Sequence, residues 1–188
     1  MRVISGSVRG RRLHTPKDLH IRPTSDRVKE SLFNILVVLL ADFAGCRVLD
    51  LFAGTGNLGI EALSRGAELA VFIDENRAAI ALVKKNLELT GFSERGHILQ
   101  REAIAALKTL DNNATPFSLV FLDPPYREGL SVKSLEIISM SHLIDEKSII
   151  VAETDAKEEL PPLFSGLKMF DKRVYGDTAL SFFALDRE

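Results

Sequence analysis

The chain has 188 residues, of which 46% are apolar and 27% charged, values typical of one globular domain with a short extension. The longest apolar run, residues 35–41, is far shorter than the ~20 residues that span a membrane, and no apolar segment follows the first arginines as in a secretory signal. The single cysteine, Cys46, excludes an internal disulfide and a multi-cysteine zinc site, and the four histidines lack the spacing of metal ligands. We expect a soluble, cytoplasmic protein that needs no metal.

The net charge of -2 conceals an uneven distribution. Residues 1–29 carry eight basic and two acidic side chains, whereas the other 159 residues carry 16 basic and 24 acidic ones. A basic segment on an acidic body is typical of a protein that meets a polyanion at one end. A basic hairpin that is merely solvated is the alternative. The candidate nucleic-acid contacts are Arg9, Arg11, Arg12 and Arg22.

The first 45 residues predict an extension that precedes the main domain. Residues 3–13 have strand-like spacing with two glycines as turn candidates, which predicts a short β-hairpin. A helix with 3.6-residue periodicity follows, with Thr24 or Ser25 as its N-cap, and we expect it to end near Gly45.

From residue 46 to residue 188, strands alternate with helices until a different tail begins. The predicted strands cover residues 47–51, 69–74, 97–100, 118–123 and 148–153, and the predicted helices cover 57–65, 77–90, a segment through 110, and 132–140. Such alternation implies right-handed crossovers and a doubly wound, mostly parallel sheet of the Rossmann-like α/β class. In the tail, residues 167–175 and 179–185 predict an antiparallel hairpin.

A glycine-rich turn follows the first strand of the predicted sheet. Gly54, Gly56 and Gly59 match the G-x-G-x-x-G pattern of dinucleotide sites, so an oxidoreductase is one interpretation. Asp50 favours another, because a carboxylate at the end of this strand repels a phosphate but suits an ammonium group, such as that of S-adenosylmethionine. Asp74, at the end of the second strand, can accept two ribose hydroxyls of either cofactor. A tight turn without a ligand is the remaining alternative.

The fourth strand of the predicted sheet ends in Asp123-Pro124-Pro125-Tyr126. Ligands of open α/β sheets bind at the carboxyl ends of the strands, so this motif faces the same crevice as the glycine turn. The exocyclic amine of a nucleobase is a poor nucleophile because its lone pair is delocalised into the ring. The Asp123 carboxylate and the Pro124 carbonyl can accept both amine hydrogens and so direct the lone pair at a methyl donor. Tyr126 would stack on an unpaired base, although a proline-rich turn with a surface tyrosine is the alternative.

Together these two motifs resemble those of S-adenosylmethionine-dependent amino-methyltransferases. The opening residues 2–6 and 10–13 and three further stretches are similar to the bacterial family that methylates guanine N2 in 16S ribosomal RNA, known as ribosomal RNA small subunit methyltransferase D. These stretches are Arg22–Asn34, Gly59–Ala67 and Tyr175–Leu180. The resemblance covers nearly the whole chain.

The resemblance implies S-adenosylmethionine as the cofactor and 16S ribosomal RNA as the partner, in a 30S subunit or an assembly intermediate. It also implies that residues 123–126 hold the target base, conventionally guanine 966. The family usually has an aspartate before alanine at the adenine amine; here Glu102 precedes Ala103, so an adenine contact competes with a charge at a helix N-terminus. The implied cofactor-binding residues are Asp50, Phe52, Gly54, Gly56, Asp74, Glu102 and Ala103.

Other activities remain as alternatives. DNA adenine-N6 and cytosine-N4 amino-methyltransferases share the four-residue motif, but no inserted stretch here is long enough for an evident target-recognition segment. Protein glutamine methylation is disfavoured because its motif typically begins with asparagine. Carbon-5 methylation of a pyrimidine needs a cysteine nucleophile, and Cys46 precedes the first strand, at the far end of the sheet. The intact motifs argue against a non-catalytic RNA-binding module.

Overall fold

The computed structural model of the chain describes residues 1–16, 26–111, 115–125 and 129–186. Its helices and strands follow one another in the order that a doubly wound domain requires. In chain order they are α1 (Asp26–Leu40), β1 (Arg47–Asp50), α2 (Asn57–Ser64), β2 (Leu69–Asp74), α3 (Arg77–Thr90), β3 (Gly96–Gln100), α4 (Ala103–Asp111), β4 (Leu119–Leu122), α5 (Leu130–Ser139), β5 (Ile149–Asp155), β6 (Leu163–Phe164), β7 (Leu167–Tyr175) and β8 (Thr178–Leu185). No helix within these ranges has both the length and the apolar character needed to cross a membrane.

The strands form one eight-stranded sheet in the order β3-β2-β1-β4-β5-β8-β7-β6. Strands β1 to β5 run parallel, whereas β8 runs antiparallel to β5 and β7 antiparallel to β8. The strand order reverses between β1 and β4, so the carboxyl ends of these two strands flank a crevice. The predicted Rossmann-like α/β class, with its C-terminal antiparallel hairpin, is therefore confirmed.

Both faces of the sheet are covered, which explains why the central strands are continuous apolar runs. All four residues of β4 are buried; Leu119 and Phe121 point to one face, and Val120 and Leu122 to the other. The first face packs against α1, α2 and α3, and the second against α4 and α5. This layering leaves the carboxyl edge of the strands as the place where polar side chains gather.

The predicted N-terminal hairpin is a closed loop with very little strand. Val3 donates its N–H to the Arg11 carbonyl (2.9 Å) and accepts from Gly10 (2.8 Å), and the bridge pairs Arg2 with Arg12. Leu13 also donates its N–H to the Met1 carbonyl (3.3 Å). The expected ladder goes no further among the described residues, because the N–H groups of residues 4, 5, 7 and 8 bond to α2 instead.

Glu61 of α2 fastens this loop to the rest of the molecule. Its fully buried carboxylate accepts the backbone N–H groups of Ile4 (2.7 Å) and Ser5 (3.0 Å). It also pairs with Nζ of Lys29 (3.3 Å) and Nε of Arg65 (2.9 Å). The extension predicted as residues 1–45 thus packs closely on the main domain, and a domain boundary after residue 45 stays a prediction.

Lys29 is the buried cation of this network. It lies on α1, is fully buried, and donates to the Arg2 carbonyl and to Oδ1 of Asn57, both at 2.6 Å. Burial lowers the pKa of Lys29, and the neighbouring Glu61 opposes that shift. Through Asn57, at the start of α2, the network reaches the glycine turn that follows β1.

Most predicted bounds agree with the structure to within two residues, and two larger differences stand out. Helix α1 ends at Leu40, before the expected end near Gly45, because Ala41 adopts a left-handed backbone with φ 65° that no helix continues. Strand β6 is absent from the sequence prediction. The predicted caps Thr24 and Ser25 lie outside the described residues.

Candidate active site at the carboxyl edge of the sheet

A cleft of about 600 Å³ lies at the carboxyl ends of β1, β2 and β4. It brings residues of both predicted motifs together, as the shared edge of parallel strands requires. The predicted residues that line it are Asp50, Phe52, Gly54, Asp74, Asp123 and Pro125.

Each of the three glycines in the turn after β1 is required for a physical reason. Gly54 and Gly56 have φ angles of 54° and 76°, in the left-handed region that other residues rarely adopt, and Gly56 is the N-cap of α2. Gly59 packs directly on the sheet, since a Cβ there would lie 2.3 Å from a ring carbon of Phe72. The turn therefore brings the first turn of α2 close to the end of β1.

Asp50 is a buried carboxylate at the end of β1, with only 2% of its surface exposed. Its Oδ2 accepts the backbone N–H of Gly59 at 3.0 Å, and no lysine or arginine within the described part of the chain pairs with it. Burial raises the pKa of Asp50 to about 7; the charge of Asp74 adds to the shift, and the Gly59 hydrogen bond opposes it. Such a group is complementary to a cation that a ligand brings.

Asp74 at the end of β2 is held by the two loops beside it. Its Oδ2 accepts the N–H of Gly54 (2.9 Å), and its Oδ1 accepts the N–H of Asn76 (2.8 Å). Asn76 in turn caps α3 by accepting the N–H of Ala78 (2.8 Å). Because a carboxylate oxygen has two lone pairs, each oxygen retains capacity for a hydroxyl donor.

Asp123 follows β4 and is half-buried at the cleft, with Pro124 buried and Pro125 exposed beside it. Burial raises the pKa of the Asp123 carboxyl well above its usual range, and the charges of Glu153 and Asp50 add to the shift. The cleft thus has two acidic sides, one at β1 and one at β4. Tyr126 lies outside the described residues.

Glu102 and Ala103 lie at the start of α4, and neither is among the residues that line the cleft. Both carboxylate oxygens of Glu102 accept backbone N–H groups of that helix, from Ile104 (2.9 Å) and Ala105 (2.8 Å). This arrangement favours the helix-capping interpretation, while an adenine contact by this pair stays a prediction.

The basic candidates lie on the N-terminal loop. Arg9, Arg11 and Arg12 are all exposed, and no described carboxylate forms an ion pair with them. Arg22 lies outside the described residues. The three arginines are thus exposed and unpaired with described carboxylates on the loop that packs against α2.

Sequence reasoning missed several residues at the cleft. The N-terminal Met1, Thr15 and Pro16 form part of its wall, which no local motif indicates because they come from distant chain positions. Asn57 and Asn76 were recognisable in principle, since each is a polar residue at the start of a helix that follows a strand.

Comparison with known proteins places the chain in a family. The family described as “Conserved hypothetical protein 95” matches residues 1–184. A Bacillus subtilis protein described as “Putative rRNA methyltransferase YlbH” is 42% identical over 183 residues, covering 97% of this chain and 98% of that protein. Ribosomal RNA small subunit methyltransferase D of Escherichia coli K12 is 35% identical over 179 residues, covering 95% of this chain and 87% of that protein. The chain belongs to the ribosomal RNA small subunit methyltransferase D family. The resemblance drawn from the motifs is confirmed.

Solved structures agree with membership of the methyltransferase D family. The structure described as “Putative methyltransferase yhhF from Escherichia coli” matches with a TM-score of 0.85 and 31% identity, covering 99% of this chain and 98% of that chain. More distant structures, at 16% identity, share the fold alone; one is described as a SAM-dependent methyltransferase and another as complexed with SAH. The fold is thus that of S-adenosylmethionine-dependent methyltransferases.

Proposed function

We propose that this protein transfers a methyl group from S-adenosylmethionine to the exocyclic N2 amine of a guanine in 16S ribosomal RNA, guanine 966 in conventional numbering. The observation that carries this proposal is the meeting of Asp50, Gly54 and Asp123 at one cleft in a member of the methyltransferase D family. Methyl transfer from labelled cofactor to unmodified 16S ribosomal RNA tests it. DNA amino-methylation shares the four-residue motif and is the contrary outcome of that test.

The residues at β1 and β2 fit the cofactor. The buried carboxylate of Asp50 would bind the ammonium group of its methionine part, beside the backbone of Gly54 and the ring of Phe52. Gly56 is not among the lining residues and would contribute by shaping the turn as the N-cap of α2. Asp74, fixed by two backbone N–H groups, would accept the ribose hydroxyls. When bound, the cofactor supplies an electrophilic methyl group on a sulfonium, which leaves as a neutral thioether.

Asp123 and the Pro124 carbonyl serve the acceptor side of the reaction. Each would accept one hydrogen of the guanine amine, which concentrates the nitrogen lone pair and directs it toward the methyl carbon. Tyr126 would stack on the base. The amine proton leaves after the methyl group has moved, so attack needs no prior deprotonation.

The pKa of Asp50 makes cofactor affinity depend on pH. Because this pKa is raised to about 7, Asp50 in the free protein is ionised above that pH and neutral below it. Affinity for S-adenosylmethionine should therefore fall by about tenfold per pH unit as the pH decreases below 7. Calorimetric titration between pH 6 and pH 8 measures the affinity at each pH.

Asp50→Asn is the control, because it removes the charge and keeps the shape. This variant should bind the cofactor more weakly at pH 8, by about 1.5–3 kcal/mol, and with a flatter pH dependence. If cofactor affinity depends on pH equally in the wild type and in Asp50→Asn, Asp50 does not bind the ammonium group.

The exposed arginines of the N-terminal loop are proposed to contact RNA phosphates. Replacing Arg9, Arg11 and Arg12 by alanine should weaken binding to 16S ribosomal RNA and lower the slope of log affinity against log salt by about 2–3. Cofactor affinity should stay unchanged. Filter binding over a range of salt concentrations checks both effects.

A matched control removes three exposed positive charges elsewhere, at Lys168, Lys172 and Arg173 of β7. If this variant lowers the salt slope as much as the arginine variant, the loop makes no specific contact. The same binding measurements on a 30S particle and an assembly intermediate identify which form of the partner is preferred. A cytoplasmic location stays a prediction.

A further inference from the structure

Glu153 is a buried acid that the mechanism above does not use. It lies on β5 after four buried apolar residues and is itself only 5% exposed. Burial of an ionised carboxylate in an apolar strand costs free energy unless the carboxylate is paired or hydrogen-bonded. Glu153 is also recognisable in the sequence, because it is an acidic residue that interrupts an apolar strand of the predicted sheet.

The sheet register places Glu153 beside Asp123. Leu122 of β4 is opposite Ala152 of β5, so Asp123 and Glu153 are the next residues along two neighbouring parallel strands. Strand alternation assigns Glu153 to the face of the sheet that Val151 shares, two residues earlier. Burial is the main cause that raises the pKa of Asp123, and of the two charges that add to this shift, Glu153 has a larger effect than Asp50.

The described charges that act on Asp123 are negative. Asp50 on β1 acts on Asp123, and Asp74 on β2 acts on Asp50 in turn. Lys29, the buried cation on the same face of the sheet, is bound to Glu61. No described lysine or arginine forms an ion pair with Asp123. A carboxylate in this setting holds a proton more tightly than one in water.

We propose that Glu153 is a positioning residue whose negative charge makes Asp123 the acceptor of the proton that the substrate amine loses. This inference rests on the proposed methyl transfer. As the N–CH₃ bond forms and the C–S bond breaks, the positive charge moves from sulfur to nitrogen. One amine proton then passes to the Asp123 carboxylate and later to water, which leaves a neutral methylated amine. A base with raised affinity for protons does this best near the working pH.

The titration of Asp123 tests the proposal without any substrate. Carbon-13 NMR of the aspartate carboxyls follows it in the protein alone, with the signal assigned by its loss in Asp123→Asn. In the wild-type protein this signal should titrate above the usual aspartate range, and in Glu153→Gln it should move to lower pH. An unchanged titration in Glu153→Gln, or an ordinary one in the wild type, overturns the inference. An ordinary titration of Asp123 in the wild-type protein overturns the inference even if Glu153→Gln does not fold.

Single-turnover rates of methyl transfer to ribosomal RNA add the kinetic test. In Glu153→Gln, the acid limb of the pH–rate profile should shift to lower pH and the plateau rate should fall, whereas Glu153→Asp should keep the wild-type limb. Thr154→Val is the matched control, because Thr154 is the next residue of β5, and its buried hydroxyl has no hydrogen-bond partner among the described residues. Its profile should match the wild type.

The two hypotheses fail in different ways. If the Asp123 signal shifts as expected but the wild-type protein transfers no methyl group to RNA, the proposed function is wrong. If RNA is methylated but the pH–rate profile of Glu153→Gln equals that of the wild type, the role of Glu153 is wrong and the function stands.

Discussion

Replacing Asp123 by alanine is expected to lower the single-turnover rate of methyl transfer by about 10²–10³-fold, the effect of losing one preorganised electrostatic group. In the proposed mechanism Asp123 accepts an amine hydrogen, and this hydrogen bond would strengthen as the nitrogen gains positive character. An interaction of this kind is largely confined to the transition state, so its loss should lower kcat more than it raises KM. Cofactor affinity should stay near the wild-type value, because the proposed contacts of the cofactor are at β1 and β2.

A structural role for Asp123 predicts a different result. If the carboxylate only caps the turn before Pro124, then Asp123→Ala loses stability but retains chemistry once folded. Asp123→Asn keeps one acceptor oxygen without the charge and should retain more activity than the alanine variant. Single-turnover rates on variants verified as folded and able to bind cofactor separate these interpretations; near-wild-type chemistry from Asp123→Ala would contradict the mechanism.

Glu61→Ala is expected to destabilise the protein by about 3–5 kcal/mol, the typical cost of removing one partner of a buried ion pair. Lys29 and Arg65 lose their common carboxylate, and the N–H groups of Ile4 and Ser5 lose their acceptor. Lys29 is fully buried, so it cannot exchange Glu61 for water without rearrangement. Chemical denaturation, monitored by circular dichroism, measures the free energy of unfolding.

An exposed ion pair of the same length is the control for this prediction. Arg173 lies 2.9 Å from Asp171, as Arg65 does from Glu61, but the side chain of Arg173 is 57% exposed. Asp171→Ala should therefore change stability by less than about 1 kcal/mol. Equal losses in the two variants would show that burial of the Glu61 network is not the cause.

The sequence predicts those elements best that have their own boundary signals. The bounds of α3 agree with the prediction because Asn76 caps its start, and Gly91, with φ 76°, ends it. The meeting of the two motifs was predictable for a similar reason, since parallel strands place their carboxyl ends at one edge of the sheet. Strand β6 has only two residues and so carries no periodic signal.

Long-range contacts account for what sequence reasoning did not predict. Lys29 and Glu61 are charged residues on helices, which local patterns assign to the solvent, but their pairing across the fold and the N-terminal loop that bonds to them accompany their burial. In the same way, the strand-like spacing of residues 3–13 does not reveal that four N–H groups among them, of residues 4, 5, 7 and 8, bond to α2. Glu153 is similar, because only the strand order β4-β5 brings it next to Asp123.

The most direct test of the proposed function is an assay of methyl transfer by the purified protein. Unmodified 16S ribosomal RNA, 30S particles and duplex DNA are each incubated with labelled S-adenosylmethionine, and the products are digested to nucleosides and separated. The proposed function predicts N2-methylguanine from the ribosomal RNA substrates and no label in the DNA. Recovery of N6-methyladenine or N4-methylcytosine from the DNA, with unlabelled ribosomal RNA, would contradict it.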